Sequence, residues 1–222
     1  MSWGEGVRAV YAKDIRSEAR PRSAMGTLGL FAVVTLVVVS FAIPASELRP
    51  ELHASLFWII LFFASMAGLS RSFVAEAERG TDLALRFAGA PSQILAGKFL
   101  FNLTLLWSLM AVLLPLFQIF LPFPRVEWGL LVAGLALGAV GLAASTTLIA
   151  AIVSQSGVRG ALFTVLSFPV LVPQLVAGIG VSRKALLGKG FGDSLPEFQL
   201  LVAYAGVMLI LGWLLADHLW RD

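Results

Sequence analysis

Between Trp128 and Gln155 the chain reads WGLLVAGLALGAVGLAASTTLIAAIVSQ, without a single Asp, Glu, Lys or Arg. The hydrocarbon core of a bilayer is about 30 Å thick, and a helix needs roughly 20 apolar residues to cross it. The stretch is continuously apolar rather than alternating, which fits a helix and not a barrel strand. Hydrocarbon offers no water to pair the backbone, so a helix is the remaining solution. Small residues recur along it. Gly134 and Gly138 stand four apart, and Gly141 and Ser145 follow, a spacing that lets helices approach closely.

Five further windows free of charged side chains lie around this one: Ser23–Ser46, Leu52–Ser70, Phe99–Pro124, Gly160–Ser182 and Phe198–Ala216. Composition agrees. Of the 222 residues, 59% are apolar and 13% charged, and the mean hydropathy is +0.90. Soluble domains run at about 45–50% apolar and about 25% charged, and a soluble globule of this size could not hide the excess. A soluble enzyme, a disordered tail and a disulfide-stapled secreted domain are excluded. The expected fold is an all-α integral membrane protein, a single domain over 1–222 with six transmembrane helices. The chain has no cysteine, which removes thiolate metal sites, disulfides and covalent haem attachment.

Basic residues set the expected orientation. Arg8, Lys13, Arg16, Arg20 and Arg22 precede the first window, and Arg71, Arg79, Arg86 and Lys98 lie between the second and third. Arg159 and Arg221 fall on the same side, against Arg49, Arg125, Arg183, Lys184 and Lys189 on the other. The excess of Lys and Arg on cytoplasmic loops then places both termini in the cytoplasm. The net charge of +3 does not argue for a nucleic-acid partner. The first window is read as a retained helix, because the polar segment before it is long for a signal peptide and no clean cleavage site follows.

Three segments lie outside the windows. In residues 1–22, Trp3, Val7, Val10, Tyr11 and Ile15 recur at helical steps, with Glu5, Arg8, Lys13, Arg16 and Glu18 mostly opposite. This is an amphipathic helix, with Trp3 and Tyr11 suited to the headgroup layer. It serves either as a surface anchor or as a link to a cytoplasmic partner. The loop at 71–98 reads RSFVAEAERGTDLALRFAGAPSQILAGK. Gly80 ends an extension of the second span, and Thr81 or Asp82 caps a short helix on which Leu83 and Phe87 share a face. Ala90-Pro91-Ser92 breaks that helix, and Ser92 is placed to cap the third span. The external segment at 182–197 is too short and polar to span. Its glycines do not form a phosphate-binding loop, a pattern found nowhere in the chain.

Within the windows, Asn102, Ser145, Thr146, Thr147 and Gln174 read as interhelical hydrogen-bonding residues. Carriers driven by protons or sodium keep an ionisable group at membrane depth, so any transport here is expected to draw energy from another subunit. Pro169 and Pro173, four apart, kink the fifth span and form a candidate hinge. His53 and His218 sit at opposite faces. Neither is expected to bind metal with the other, and His53 reads as a wetted interfacial residue.

This order of segments resembles the permease subunits of ABC exporters. It is most similar to the cytochrome c maturation protein B (CcmB) family, the haem exporter permeases. The stretches that carry the resemblance are FFASMAGLSRSFVAEAERGTDLALRFAGAPSQILAGKFLFN, Phe62–Asn102, and SQSGVRGALFTVLSFPVLVPQLVAG, Ser154–Gly178. The resemblance implies a non-catalytic permease in a bacterial inner membrane that pairs with a separate ABC ATP-binding subunit. It implies that 71–98 is the coupling loop, and by position Glu76, Glu78, Arg79, Gly80, Asp82, Leu83 and Phe87 would engage the ATPase. It implies a second permease copy, other cytochrome c maturation membrane subunits and a periplasmic haem chaperone as partners. This chain would bind no cofactor of its own, with ATP on the partner and haem as cargo. ATP-driven motion would either move haem or release the haem-loaded chaperone. The alternative is an ABC permease for another cargo, such as a lipid, drug or polysaccharide, and a purely structural membrane subunit is a third class.

Overall fold

The computed structural model describes residues 2–18, 24–44, 48–69, 90–123, 125–154 and 159–219. Among them are seven α-helices and no strand. They are α1 (Trp3–Glu18), α2 (Ala24–Ala42), α3 (Pro50–Leu69), α4 (Pro91–Phe120), α5 (Trp128–Ser154), α6 (Arg159–Leu186) and α7 (Leu195–Leu219), with a short 3-10 turn at Phe191–Ser194.

Four stretches are long and apolar enough to cross a membrane: Pro91–Phe120, Trp128–Ser154, Leu166–Leu186 and Phe191–Ala216. α2 and α3 carry shorter apolar runs, Gly29–Ala42 and Pro50–Met66. Large apolar side chains face outward along most of these helices, including Leu30, Val34 and Phe41 of α2 and Val202, Ile210 and Trp213 of α7. Water would penalise such a surface, whereas a bilayer solvates it. The protein is an integral membrane protein.

α5 is the central helix, with α4, α6 and α7 packed around it. Its neighbours run antiparallel to it or to one another, as contact pairs show. Asn102 and Trp107 of α4 bond to Thr147 and Ala136 of α5. Gly134 and Gly141 of α5 face Val181 and Gln174 of α6. α3 lies against α6, with Phe62 on Phe168 and Trp58 bonded to Ser182.

The small residues of α5 act as the spacing suggests. A Cβ on Gly138 would overlap the Trp58 indole, and one on Gly141 would overlap the Gln174 amide. Lipid tails are as apolar as leucine, so close packing rather than water exclusion brings these helices together.

Two boundaries differ from expectation. α4 starts at Pro91, so Lys98 lies within the helix and not in a loop. Pro91 suits a first helical position, where its missing N–H is not needed. Ala90, not Ser92, is the capping residue, and the Gln93 side-chain oxygen accepts its N–H at 3.1 Å. At the far end, α6 continues through Leu186 into the segment expected as external loop. Gly188 then turns the chain with φ at 68°, a left-handed backbone that glycine adopts without penalty.

Candidate functional site

At one end of the bundle, α1 packs along the first half of α4. The apolar stripe expected on α1 provides the contact. Val10 and the Val7 backbone close on Gly97, where a Cβ would overlap Val10. Gly6 meets the Gln93 side chain in the same way. Trp3 Nε1 donates to Ser92 Oγ at 3.3 Å, and the Tyr11 hydroxyl lies 3.3 Å from Thr104 Oγ1. Tyr11 and Ser92 are therefore each engaged with the other's helix, and Ser92 does not cap α4.

The same seam buries an ion pair. Lys98 is 1% exposed, and its ammonium lies 3.5 Å from Asp14 Oδ2. Lys13 Nζ is 3.2 Å from the other Asp14 oxygen. A buried charge is costly unless paired, and the Asp14 carboxylate here meets two ammonium groups, those of Lys98 and Lys13. Asp14 was not among the expected residues. Its signal was present nonetheless, because it extends the stripe Trp3, Val7, Val10 at the next helical step.

Inside the bundle the uncharged polar residues bond between helices. Asn102 Nδ2 donates to Thr147 Oγ1 at 2.8 Å, and Gln174 Nε2 donates to the Gly138 carbonyl at 2.9 Å. Ser145 Oγ lies 3.0 Å from the Tyr204 hydroxyl, which donates to the Val170 carbonyl at 2.6 Å. Ser145 also bonds back to the Gly141 carbonyl of its own helix. Thr146, expected to bond between helices, donates instead to the Leu142 and Ala143 carbonyls of its own helix, because a hydroxyl in a helix can reach a carbonyl three or four residues back. Pro169 and Pro173 both lie within α6. Neither has an N–H to donate, so Pro173 leaves the Pro169 carbonyl without its usual helical partner. Tyr204 thus reaches α6 beside the proline pair.

At the opposite end, Lys184 Nζ contacts both Glu197 oxygens, at 2.6 and 2.8 Å, and the Asp193 carbonyl at 2.6 Å. These bonds tie α6 to the start of α7. Arg183 and Glu51 are 3.7 Å apart on the surface. His53 is not wetted. It is 1% exposed, its Nδ1 is 3.3 Å from the Arg49 carbonyl, and its ring meets Phe123 edge to face. Among the described residues no group of three or more His, Asp or Glu side chains is arranged to hold a metal.

The seven residues expected to couple to an ATPase, Glu76, Glu78, Arg79, Gly80, Asp82, Leu83 and Phe87, lie outside the described residues. His218 lies outside the described side chains as well.

The family model for the CcmB protein matches residues 6–218. The chain belongs to the CcmB family. The match runs from α1 through α7 and includes the loop at 71–98. Two curated relatives are similar along most of their length. The heme exporter protein B of Bradyrhizobium diazoefficiens is 26% identical over 209 residues, covering 93% of each chain. That of Rhodobacter capsulatus is 26% identical over 185 residues, covering 82% of this chain and 84% of the relative. No solved structure matches. The CcmB family assignment thus rests on sequence along nearly the whole chain, and the helices described here give it a three-dimensional arrangement.

Proposed function

We propose that this chain is the membrane permease subunit of an ATP-driven ABC complex that exports haem for c-type cytochrome biogenesis. The observation that carries the reading is the CcmB family match over residues 6–218, together with two relatives named heme exporter protein B. In this reading the chain crosses a bacterial inner membrane six times with both termini cytoplasmic, so α2 and α3 span alongside the four longer helices. It catalyses nothing itself. ATP is hydrolysed by a separate ABC subunit, haem is cargo rather than a resident cofactor, and a second permease copy completes the membrane part.

The loop at 71–98 is the coupling element. Leu83 and Phe87 dock in an apolar groove on the ATPase, and Glu76, Glu78, Arg79 and Asp82 fix the register around the Gly80 turn. α1 and α4 then receive the motion, since the last residues of that stretch, from Pro91, form the start of α4 and α1 is packed on its first half. The product of that motion is either haem crossing the membrane or release of a haem-loaded periplasmic chaperone from the other maturation subunits.

Two experiments test this. Deletion of the gene abolishes covalent haem attachment to c-type cytochromes, read by haem staining. Normal staining, with a new sensitivity to drugs or a lipid defect, would assign another cargo. Purification of the tagged chain brings down an ABC ATPase, and Leu83→Asp with Phe87→Asp abolishes that association, because charge enters an apolar contact. Unchanged co-purification would overturn the role of the loop.

A further inference from the structure

Between α1, α4, α5 and α7 lies an open cleft of about 200 Å³. Leu95, Ala96 and Phe99 of α4 form one wall, Ala144 and Leu148 of α5 the floor, and Met208, Gly212 and Trp213 of α7 the other wall. Trp3 of α1 closes one end, held by its bond to Ser92. Ala96, Ala144 and Gly212 are the small residues in its lining. A Cβ on Gly212 would come 3.1 Å from Leu95 Cδ2, so a larger residue there closes the gap.

The lining is almost wholly apolar, with Ser92 and Thr147 its two hydroxyls. Thr147 Oγ1 already donates to the Ala143 carbonyl at 2.6 Å and accepts from Asn102. Ser92 Oγ accepts from Trp3. Among the described residues no charged side chain and no imidazole lines the walls, so a porphyrin would meet no cation for its carboxylates among them. A hydrated or anionic ligand would lose its water there without replacement. The cleft is also continuous with the outward face of α7, where Leu209 and Trp213 are 41% and 67% exposed. In an integral membrane protein that face meets lipid, and the surrounding bilayer supplies an occupant from the side.

We infer that this cleft is a lipid site, in which one acyl chain of a phospholipid from the leaflet on the α1 side lies between α4 and α7 under Trp3. The lipid then fills the cleft between Leu95, Ala96 and Phe99 of α4 and Met208 and Trp213 of α7. This inference rests on the membrane setting alone and does not depend on the haem reading.

The test uses the full chain in native membranes. A phospholipid with a photoreactive diazirine near the middle of one acyl chain is incorporated, irradiated and mapped by mass spectrometry. Labels are expected on the peptides holding Leu95–Phe99 and Met208–Trp213, above the level on the exposed face of α2. Ala96→Phe and Gly212→Leu are expected to lose most of that labelling, while Ile210→Phe, on the outward face of α7, keeps it. Organic extraction of the purified, extensively washed chain should recover a retained phospholipid, which the two filling variants lose. Even labelling of all lipid-facing helices in the unaltered chain would overturn the site. So would recovery of a porphyrin or a free fatty acid in place of phospholipid. Because the unaltered chain carries the first readout, misfolding of a variant leaves the inference open to refutation.

Discussion

Trp58 of α3 sits with its indole against two backbones at once, those of Gly138 in α5 and Gly178 in α6. Its Nε1 donates to Ser182 Oγ at 2.9 Å, and no part of the side chain is exposed. One residue thus locks three helices, and it requires two glycines and a hydroxyl supplied by other elements. A buried indole must place its N–H as well as its bulk.

Substitution at this joint is expected to cost more than elsewhere in the bundle. Trp58→Ala leaves a cavity bounded by rigid helices, worth about 3–5 kcal/mol. Gly138→Leu forces side-chain atoms into the ring and costs about 1–3 kcal/mol, more where backbone must move. Trp58→Phe keeps most of the volume and loses one hydrogen bond, about 1 kcal/mol. Unfolding in mild detergent, followed by size exclusion after graded heating, ranks the three. A Gly138→Leu chain as stable as the parent would refute the packing described.

The Asp14–Lys98 pair is expected to behave as a unit. Lys98→Ala leaves the Asp14 carboxylate to the half-exposed Lys13 alone, so the loss should stay below the about 3–5 kcal/mol for breaking one side of a fully buried pair. The loss falls on the docking of α1, so a cysteine at Val10 should react faster with a water-soluble maleimide. Lys98→Met with Asp14→Leu should restore protection, because two apolar groups replace two compensated charges. Equal labelling of single and double variants would show that the charges do not interact.

Lys184 and Glu197 form a shorter contact, at 2.6 Å, yet should matter less. Both side chains are partly exposed, and solvent screens pairs of that kind to about 0.2–1 kcal/mol. Lys184→Ala is expected to shift the unfolding midpoint only slightly, and high salt should erase the difference. A loss as large as that from Lys98→Ala would mean that the Asp193 carbonyl bond carries the junction.

Pro173→Ala tests the hinge proposed for α6. The restored N–H can bond the Pro169 carbonyl, so α6 should become stiffer and the chain no less stable. If bending at this point is used in transport, haem attachment to c-type cytochromes falls while the protein level holds. Full attachment would make the proline pair a fixed kink. Tyr204→Phe probes the same place from α7 and should cost about 1 kcal/mol, through the lost bond to Val170.

The membrane class, the helical architecture and the family were legible in the chain itself. Long runs without charge admit no other backbone solution in hydrocarbon, and runs such as Trp128–Gln155 need no partner to declare themselves. The role of Asn102, Ser145 and Gln174 was legible too, because uncharged polar groups in such runs often bond to other helices, whereas Thr146 satisfies itself on its own helix. Periodicity also marked the apolar stripe of α1, but not what it would meet. A stripe facing a headgroup layer and one facing another helix have the same spacing.

Tertiary structure alone decided the pairings. Lys98 reads as a loop cation next to a span, and only the extension of α4 back to Pro91 and the approach of α1 turn it into a buried partner of Asp14. His53 reads as interfacial, and only the return of the chain at Phe123 encloses it. Trp58, Gly138, Gly178 and Ser182 are far apart in the chain and become one joint in space. Burial from a bilayer is a property of each segment and can be read locally, whereas complementarity between helices depends on pairs of segments and appears only when they are packed.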